Sequence, residues 1–227
     1  MRSDYKQLAK RHHSPSNRRT KRKKRRAFGC IGCGVMLGGL VMIGLLIVFA
    51  LGQWRQTSQE NLIEQQRQEF FDSLGLKSQE LYQKTNLLPS ILLAQAALES
   101  DFGTSELSAT YHNLFGVKAG PNEPSARLQT KEYLNGEWVD IEADFRVYES
   151  NEESLEAHAN LLLYGTSWNA QQYHAVMAGN TPEEQATALG ASGYATDPNY
   201  TAKILQLIDQ YQLTTYDPPF EMTTINE

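Results

Sequence analysis

The sequence predicts an α+β domain, mostly helical with one small β-hairpin lobe, preceded by one transmembrane helix. Three observations carry that expectation. Residues 27–51 are 25 consecutive positions without a charge, directly after a tract holding twelve Lys or Arg. Between about residues 70 and 213, several stretches place apolar residues at helical spacing and begin with a capping residue or a proline. Among them lies a single period-two alternation interrupted by Asn135-Gly136, a strong short-range hairpin signal.

Residues 1–26 carry those twelve basic residues against one acid, Asp4, with the density highest over 21–26. So charged a segment has too little apolar surface to fold alone. The run 27–51 follows, and at ~1.5 Å per residue it can cross a hydrocarbon core of roughly 30 Å. Basic residues on the leading side place the N-terminus in the cytoplasm and everything after Leu51 outside, a single-pass protein of the cell membrane. Residues 18–26 then meet anionic headgroups, which accounts for their charge without nucleic acid as a partner. A cleaved signal peptide has the same order of charged and apolar regions, but the length of the run and the lack of a small-x-small site favour retention. Gly34 and Gly38 have helix-packing spacing, which alone leaves the oligomeric state open. Cys30 and Cys33 are the only cysteines and fall within the span. The exported part therefore has neither disulfides nor a cysteine-built zinc site.

From Gly52 onward nine basic residues face 25 acidic ones, a formal charge of −16 that the whole-chain value of −5 conceals. Such a surface does not bind polyanions by bulk charge. Residues 52–72 read as a juxtamembrane segment. Residues 73–213 form a domain of about 140 residues, long enough for an ordinary core. Residues 214–227, with Pro218-Pro219, read as a flexible tail.

Within the domain, Leu88, Ile91, Leu92 and Leu98 recur at helical spacing, Pro89 suits a helix start and Gly103 a terminator. Glu99 thus falls in the last turn, near the core. Partial burial there raises a carboxyl pKa, as a general acid requires. In the hairpin, pairing Leu134 with Glu137 sets Tyr133 opposite Trp138, Glu132 opposite Val139, Lys131 opposite Asp140 and Arg127 opposite Asp144. Glu132 then shares a face with Leu128, Thr130, Leu134, Val139, Ile141 and Ala143, unusual company for a surface glutamate. Ser150 opens a helix reaching Tyr164, Thr181-Pro182 opens a second, and Asp197-Pro198 precedes a third over 202–213.

These residues resemble the glucosaminidase family of peptidoglycan hydrolases, glycoside hydrolase family 73, whose domain is lysozyme-like. The resemblance spans about residues 74–213 and rests on 93–100 with Phe102-Gly103, on 113–118, on 130–133, on 145–148 and on 193–197. It implies that Glu99 protonates the glycosidic oxygen of the N-acetylglucosaminyl-β-1,4-N-acetylmuramic acid bond, and that Glu132 activates water. In an alternative route the substrate's own acetamido group attacks and Glu132 assists.

Asn113, Phe115 and Tyr194 match residues of the family's loop and cleft, implying contact with the glycan. Tyr200 is a further aromatic for which sugar contact and packing stay open, whereas Tyr148 and Trp138 read as packing residues. His112, His158 and His174 lack a metal-binding pattern, and the chemistry calls for no metal or cofactor. The expected partner is the glycan strand of peptidoglycan. Competing readings are a lytic transglycosylase, a muramidase and a noncatalytic wall-binding scaffold.

Overall fold

The computed structural model describes residues 31–134 and 137–219, except for the side chains of 31–41, 43, 44, 132–134 and 138. The basic tail, the first residues of the predicted span and the Asn135-Gly136 turn lie outside the described residues. Among those described, no helix is long and apolar enough to cross a membrane. Of the predicted span 27–51, residues 27–30 lie outside the described residues.

The chain divides into two units, one ending at Arg55 and the other beginning at Gln56. In the first, the described side chains Leu45, Leu46, Ile47, Val48, Phe49 and Leu51 are exposed. They belong to helix α1, Ile31–Thr85, which also supplies the opening of the second unit. There Phe70, Phe71, Leu74 and Leu81 are buried, so the domain's first helix takes in Phe70 and Phe71 from the end of the predicted juxtamembrane segment.

Helix α2, Pro89–Ser100, is the centre of the second unit. Ten of its twelve residues are buried, and it packs against α4 (Asn151–Tyr164), α6 (Pro182–Ala191), α7 (Tyr200–Gln210) and the closing 3-10 turn Leu213–Tyr216. A helix apolar on nearly every face, as Ile91 to Ala97 is, finds stable surroundings only as the hub of such a layer. Short helices α3 (Glu106–Tyr111) and α5 (His174–Ala178) complete the helical part; neither was legible in the apolar spacing. Strands β1 (Ser125–Leu134) and β2 (Glu137–Arg146) form the two-stranded antiparallel lobe, in the predicted register at every pair. Its outer face carries the bidentate Arg127–Asp144 pair, with both N···O distances 2.9 Å.

The helix starts at Ser150 and Thr181 hold, each side chain accepting a bond from the backbone three residues on. Two expectations change. The last long helix starts at Tyr200 rather than Ala202, and Asp197 works outside it, accepting from Asn199 N and pairing with Lys203. The tail expected to be loose from Thr214 is docked as far as Asp217. Tyr216 bonds Asp72 and lies against Gly75, where a Cβ would come within 2.6 Å of the ring, and Asp217 Oδ1 accepts from Ser90 N at 2.8 Å. Pro89 has no N–H and Leu88 offers no side-chain cap, so the first donors of α2 are met from afar, by Asp217 and by Gln185 on Leu88 N.

Candidate active site

Glu99 is the penultimate residue of α2, as the spacing predicts. The helix does not end on Gly103. Asp101 takes the left-handed cap at φ 51°, and Phe102 and Gly103 follow at 55° and 75°, a run of three positive φ angles immediately beyond the candidate acid. Phe102 secures this bend: its ring meets those of Phe70, Phe71 and Tyr211 edge-on, and the Arg67 guanidinium lies 4.5 Å from its centre. Backbone bonds from Phe102 N to Ala97 O and from Ser105 N to Ser100 O close the turn. Residues in sparsely populated conformations persist only where their surroundings over-determine them.

Tyr200, at the start of α7, donates its hydroxyl to Glu99 Oε1 at 3.0 Å. The same hydroxyl accepts from Gln95 Nε2 at 3.1 Å. Gln95 lies one turn before Glu99, so one tyrosine bridges two residues on one face of α2. Gln95 Oε1 in turn lies 3.3 Å from Nε2 of His158 on α4. His158 is wholly buried, and desolvation holds its pKa down at about 3, so it is neutral at working pH.

Over the whole residue Glu99 is open to solvent, yet protein surrounds its carboxyl closely enough for desolvation to raise the pKa. The Tyr200 bond offsets part of that rise. The carboxyl meets α7 through the Tyr200 bond, and the surroundings of that group govern its chemistry. With Oε1 accepting from Tyr200, the proton of the neutral acid resides on Oε2.

The other predicted site residues divide. Tyr194 belongs to the cluster: its ring centre is 5.4 Å from that of Tyr200 and 5.5 Å from His158. Burial first, then the charges of its neighbours, pushes its hydroxyl well above the ordinary tyrosine pKa, so it stays a neutral hydrogen-bonding group. Phe115 stacks on His158 at 3.8 Å with planes 10° apart, fastening the 113–118 loop to α4 while keeping part of its ring exposed.

Asn113 and Tyr200 have inward roles instead. Asn113 is buried, its amide donating to Val117 O and Arg146 O at 2.8 Å and accepting from Val117 N at 3.0 Å. It shapes the loop and has no amide hydrogen left for a sugar. Tyr200 is 4% exposed, so its ring has no face to offer a pyranose. The backbone of Glu132 pairs with Val139, while its side chain is among those not described.

Gln95 and His158 are the site residues that the sequence reading missed. A polar residue one turn before Glu99 in an otherwise apolar run was the available signal for Gln95. His158 was weighed only as a metal ligand, and a lone buried imidazole bonded to an amide has no local sequence signature.

Comparison with known proteins places this geometry in context. A family model described as Glucosaminidase, mannosyl-glycoprotein endo-beta-N-acetylglucosaminidase, matches residues 76–213. The chain is 46% identical over 152 residues to the exo-glucosaminidase LytG of Bacillus subtilis (strain 168), a match covering 67% of this chain and 54% of that protein. It is 38% identical over 159 residues to a probable N-acetylmuramidase of Lactococcus lactis subsp. lactis, covering 69% of this chain and 36% of that protein. It thus spans about half or less of these curated relatives. Among solved structures, the catalytic domain of the autolysin Auto from Listeria monocytogenes superposes with a TM-score of 0.63 at 40% identity, over 67% of this chain and 88% of that one.

Proposed function

The chain belongs to the glucosaminidase family of peptidoglycan hydrolases, glycoside hydrolase family 73, and from that premise we propose that it hydrolyses the N-acetylglucosaminyl-β-1,4-N-acetylmuramic acid bond of peptidoglycan within the strand. Glu99 is the general acid in this reading. The observation that carries it is a carboxyl desolvated at the end of a buried helix and held by Tyr200 through one oxygen. A carboxyl whose pKa burial raises, with its other oxygen unclaimed by that bond, is suited to deliver a proton to a leaving oxygen.

The bond between C1 and the glycosidic oxygen breaks as that oxygen takes the proton from Glu99. Water then adds to C1 and gives up its proton to Glu132, which restores neutral products and leaves the protons to be exchanged with solvent. An inverting reaction of this kind needs roughly 6.5 to 9.5 Å between the two carboxyls to admit the water. Tyr194 and the exposed part of Phe115 contribute ring surface for the glycan.

The naming of one relative as a probable N-acetylmuramidase supports a second reading, cleavage of the alternate bond in the same strand. Mass spectrometry of borohydride-reduced products from digested peptidoglycan separates the two. Reduced N-acetylglucosamine ends are expected. Reduced N-acetylmuramic acid ends assign a muramidase, anhydro ends a lytic transglycosylase, and glycan binding without products a scaffold.

The protein acts, in this proposal, from the outer face of the cell membrane, anchored through residues 27–51 with its N-terminus inside. Support comes from the charge-free run and from twelve basic residues on its leading side against a −16 exported part. Tethering confines the enzyme to the wall nearest the membrane, which suits remodelling more than free lysis. Protease added to intact protoplasts is expected to digest the domain and spare the basic tail; a domain released into the medium with a new N-terminus near residue 52 would mean that the leader is cleaved.

A further inference from the structure

As placed, the polar chain behind Glu99 runs toward the acid. Gln95 Nε2 donates to Tyr200, so the opposite end of that amide, Oε1, faces His158 as an acceptor. His158 must therefore carry its proton on Nε2. The Tyr200 hydroxyl, already accepting from Gln95, has its one proton committed to Glu99. Reversing any member would set donor against donor or acceptor against acceptor, a costly arrangement for groups as buried as Gln95 and His158.

His158 is itself fixed by packing. Phe115 stacks on one face of the imidazole, and the Tyr194 ring meets it at 78°. The ring therefore has a set orientation, and its Nε2–H points at an amide one helical turn from the acid.

We propose that His158 and Gln95 are positioning residues for Glu99: His158 fixes the orientation of the Gln95 amide, and that amide makes Tyr200 a dedicated hydrogen-bond donor to the acid. The proposal rests on the reading of Glu99 as general acid, but its structural content is independent of turnover. The donated bond holds Glu99 in one rotamer before reaction. It strengthens as the carboxyl loses its proton, because a bond to a carboxylate exceeds one to a neutral acid. Among the described residues, the titratable side chains facing Glu99 are then Tyr200 and Tyr194, both neutral, with His158 acting through Gln95 and also neutral.

The test compares the full chain with His158→Leu, His158→Gln and Tyr200→Phe, reading the pH titration of the Glu99 side-chain carboxyl by carbon-13 NMR, with Glu99→Gln to assign the signal. Removing the Nε2–H frees the Gln95 amide to turn, so His158→Leu is expected to raise the Glu99 titration by about half to one pH unit, the loss of a modest hydrogen bond. Tyr200→Phe, which keeps the ring, is expected to do at least as much. His158→Gln restores a donor near the Nε2 position and is expected to recover most of the wild-type titration.

In turnover, His158→Leu is expected to lower kcat about tenfold with KM within twofold, and to move the alkaline limb of the pH profile upward with the NMR value. An unchanged Glu99 titration in folded His158→Leu and Tyr200→Phe overturns the proposal, as does His158→Gln behaving like His158→Leu. Should His158→Leu fail to fold, Tyr200→Phe and Gln95→Leu decide the matter by the same readout. A wild-type protein that releases no sugar would refute the enzymatic reading while leaving the titration result to stand or fall by itself.

Discussion

Tyr200 donates its hydroxyl to Glu99 across 3.0 Å, joining the first residue of α7 to the last turn of α2. The two lie 101 positions apart in the chain, and their meeting converts an ordinary-looking glutamate into a carboxyl of fixed geometry. Desolvation raises its pKa and the tyrosine restrains that rise, so the group can hold a proton and also release it.

Replacing Glu99 by Gln is expected to lower turnover on peptidoglycan by about 10²- to 10⁴-fold, the usual worth of a general acid. Gln keeps an oxygen for Tyr200, so the fold should be retained. Stability gives a second readout. Because the folded-state pKa is raised, the contribution of the protonated carboxyl is complete below its ordinary value near 4.5 and is lost as the pH rises through the raised one. The variant should therefore melt higher than wild type at pH 7 and no differently at pH 4. Thermal unfolding at both pH values checks this, and equal melting at pH 7 would remove desolvation as the source of the shift.

His158 titrates with the opposite consequence. Its pKa falls from 6.5 to about 3 on burial, so the unfolded chain binds the extra proton across that interval. Its contribution to stability is complete above pH 6.5 and lost as the pH falls toward 3, at up to about 1.4 kcal/mol per pH unit. Denaturant unfolding of His158→Gln across pH 4 to 7 is expected to show a shallower loss of stability than wild type. Parallel curves would place the acid sensitivity elsewhere.

The sequence made these elements legible to different depths. Glu99 was found because a helix interior leaves a strong periodic trace and its end a sharp one. The hairpin register was found because Asn135-Gly136 admits few turns and opposite charges then fall into pairs such as Arg127 with Asp144. The occupations of Tyr200 and Asn113 were not legible. An aromatic or an amide near a cleft reads alike whether it faces sugar or core, and only packing against Gln95 or Val117 decides. The distance from Glu132 to Glu99 was beyond reach for a mechanical reason: Glu132 sits seven residues along β1 from Ser125, about 23 Å at strand rise, so a small tilt of the lobe moves it by several ångströms.

Asp217 shows the same limit at a helix start. Proline at the head of α2 was readable, but the carboxylate that meets Ser90 N comes 127 residues later, from a segment expected to be loose. An acidic group at a helix N-terminus also interacts favourably with the helix dipole. Asp217→Ala is expected to cost about 1 kcal/mol, the usual worth of such a cap, and truncation after Leu213, which also removes the docked Tyr216, to cost more. Denaturant unfolding with both variants measures it; a full-length stability after truncation would mean that the docked tail contributes nothing.

Glu132 supplies the most discriminating prediction because its role separates two mechanisms. If it activates water, the attack comes from the face opposite the leaving group, and the β-linked strand yields a product first formed as the α-anomer. Glu132→Gln should then lose at least 10² in kcat. Proton NMR of the anomeric region in the first minutes of digestion reads the stereochemistry before mutarotation blurs it. An initial β-anomer would assign the first attack to the substrate's acetamido group and leave Glu132 to assist, in which case Glu132→Gln should retain a larger share of activity. The two measurements must agree: an α-anomer with a nearly active Glu132→Gln would mean that another group activates the water.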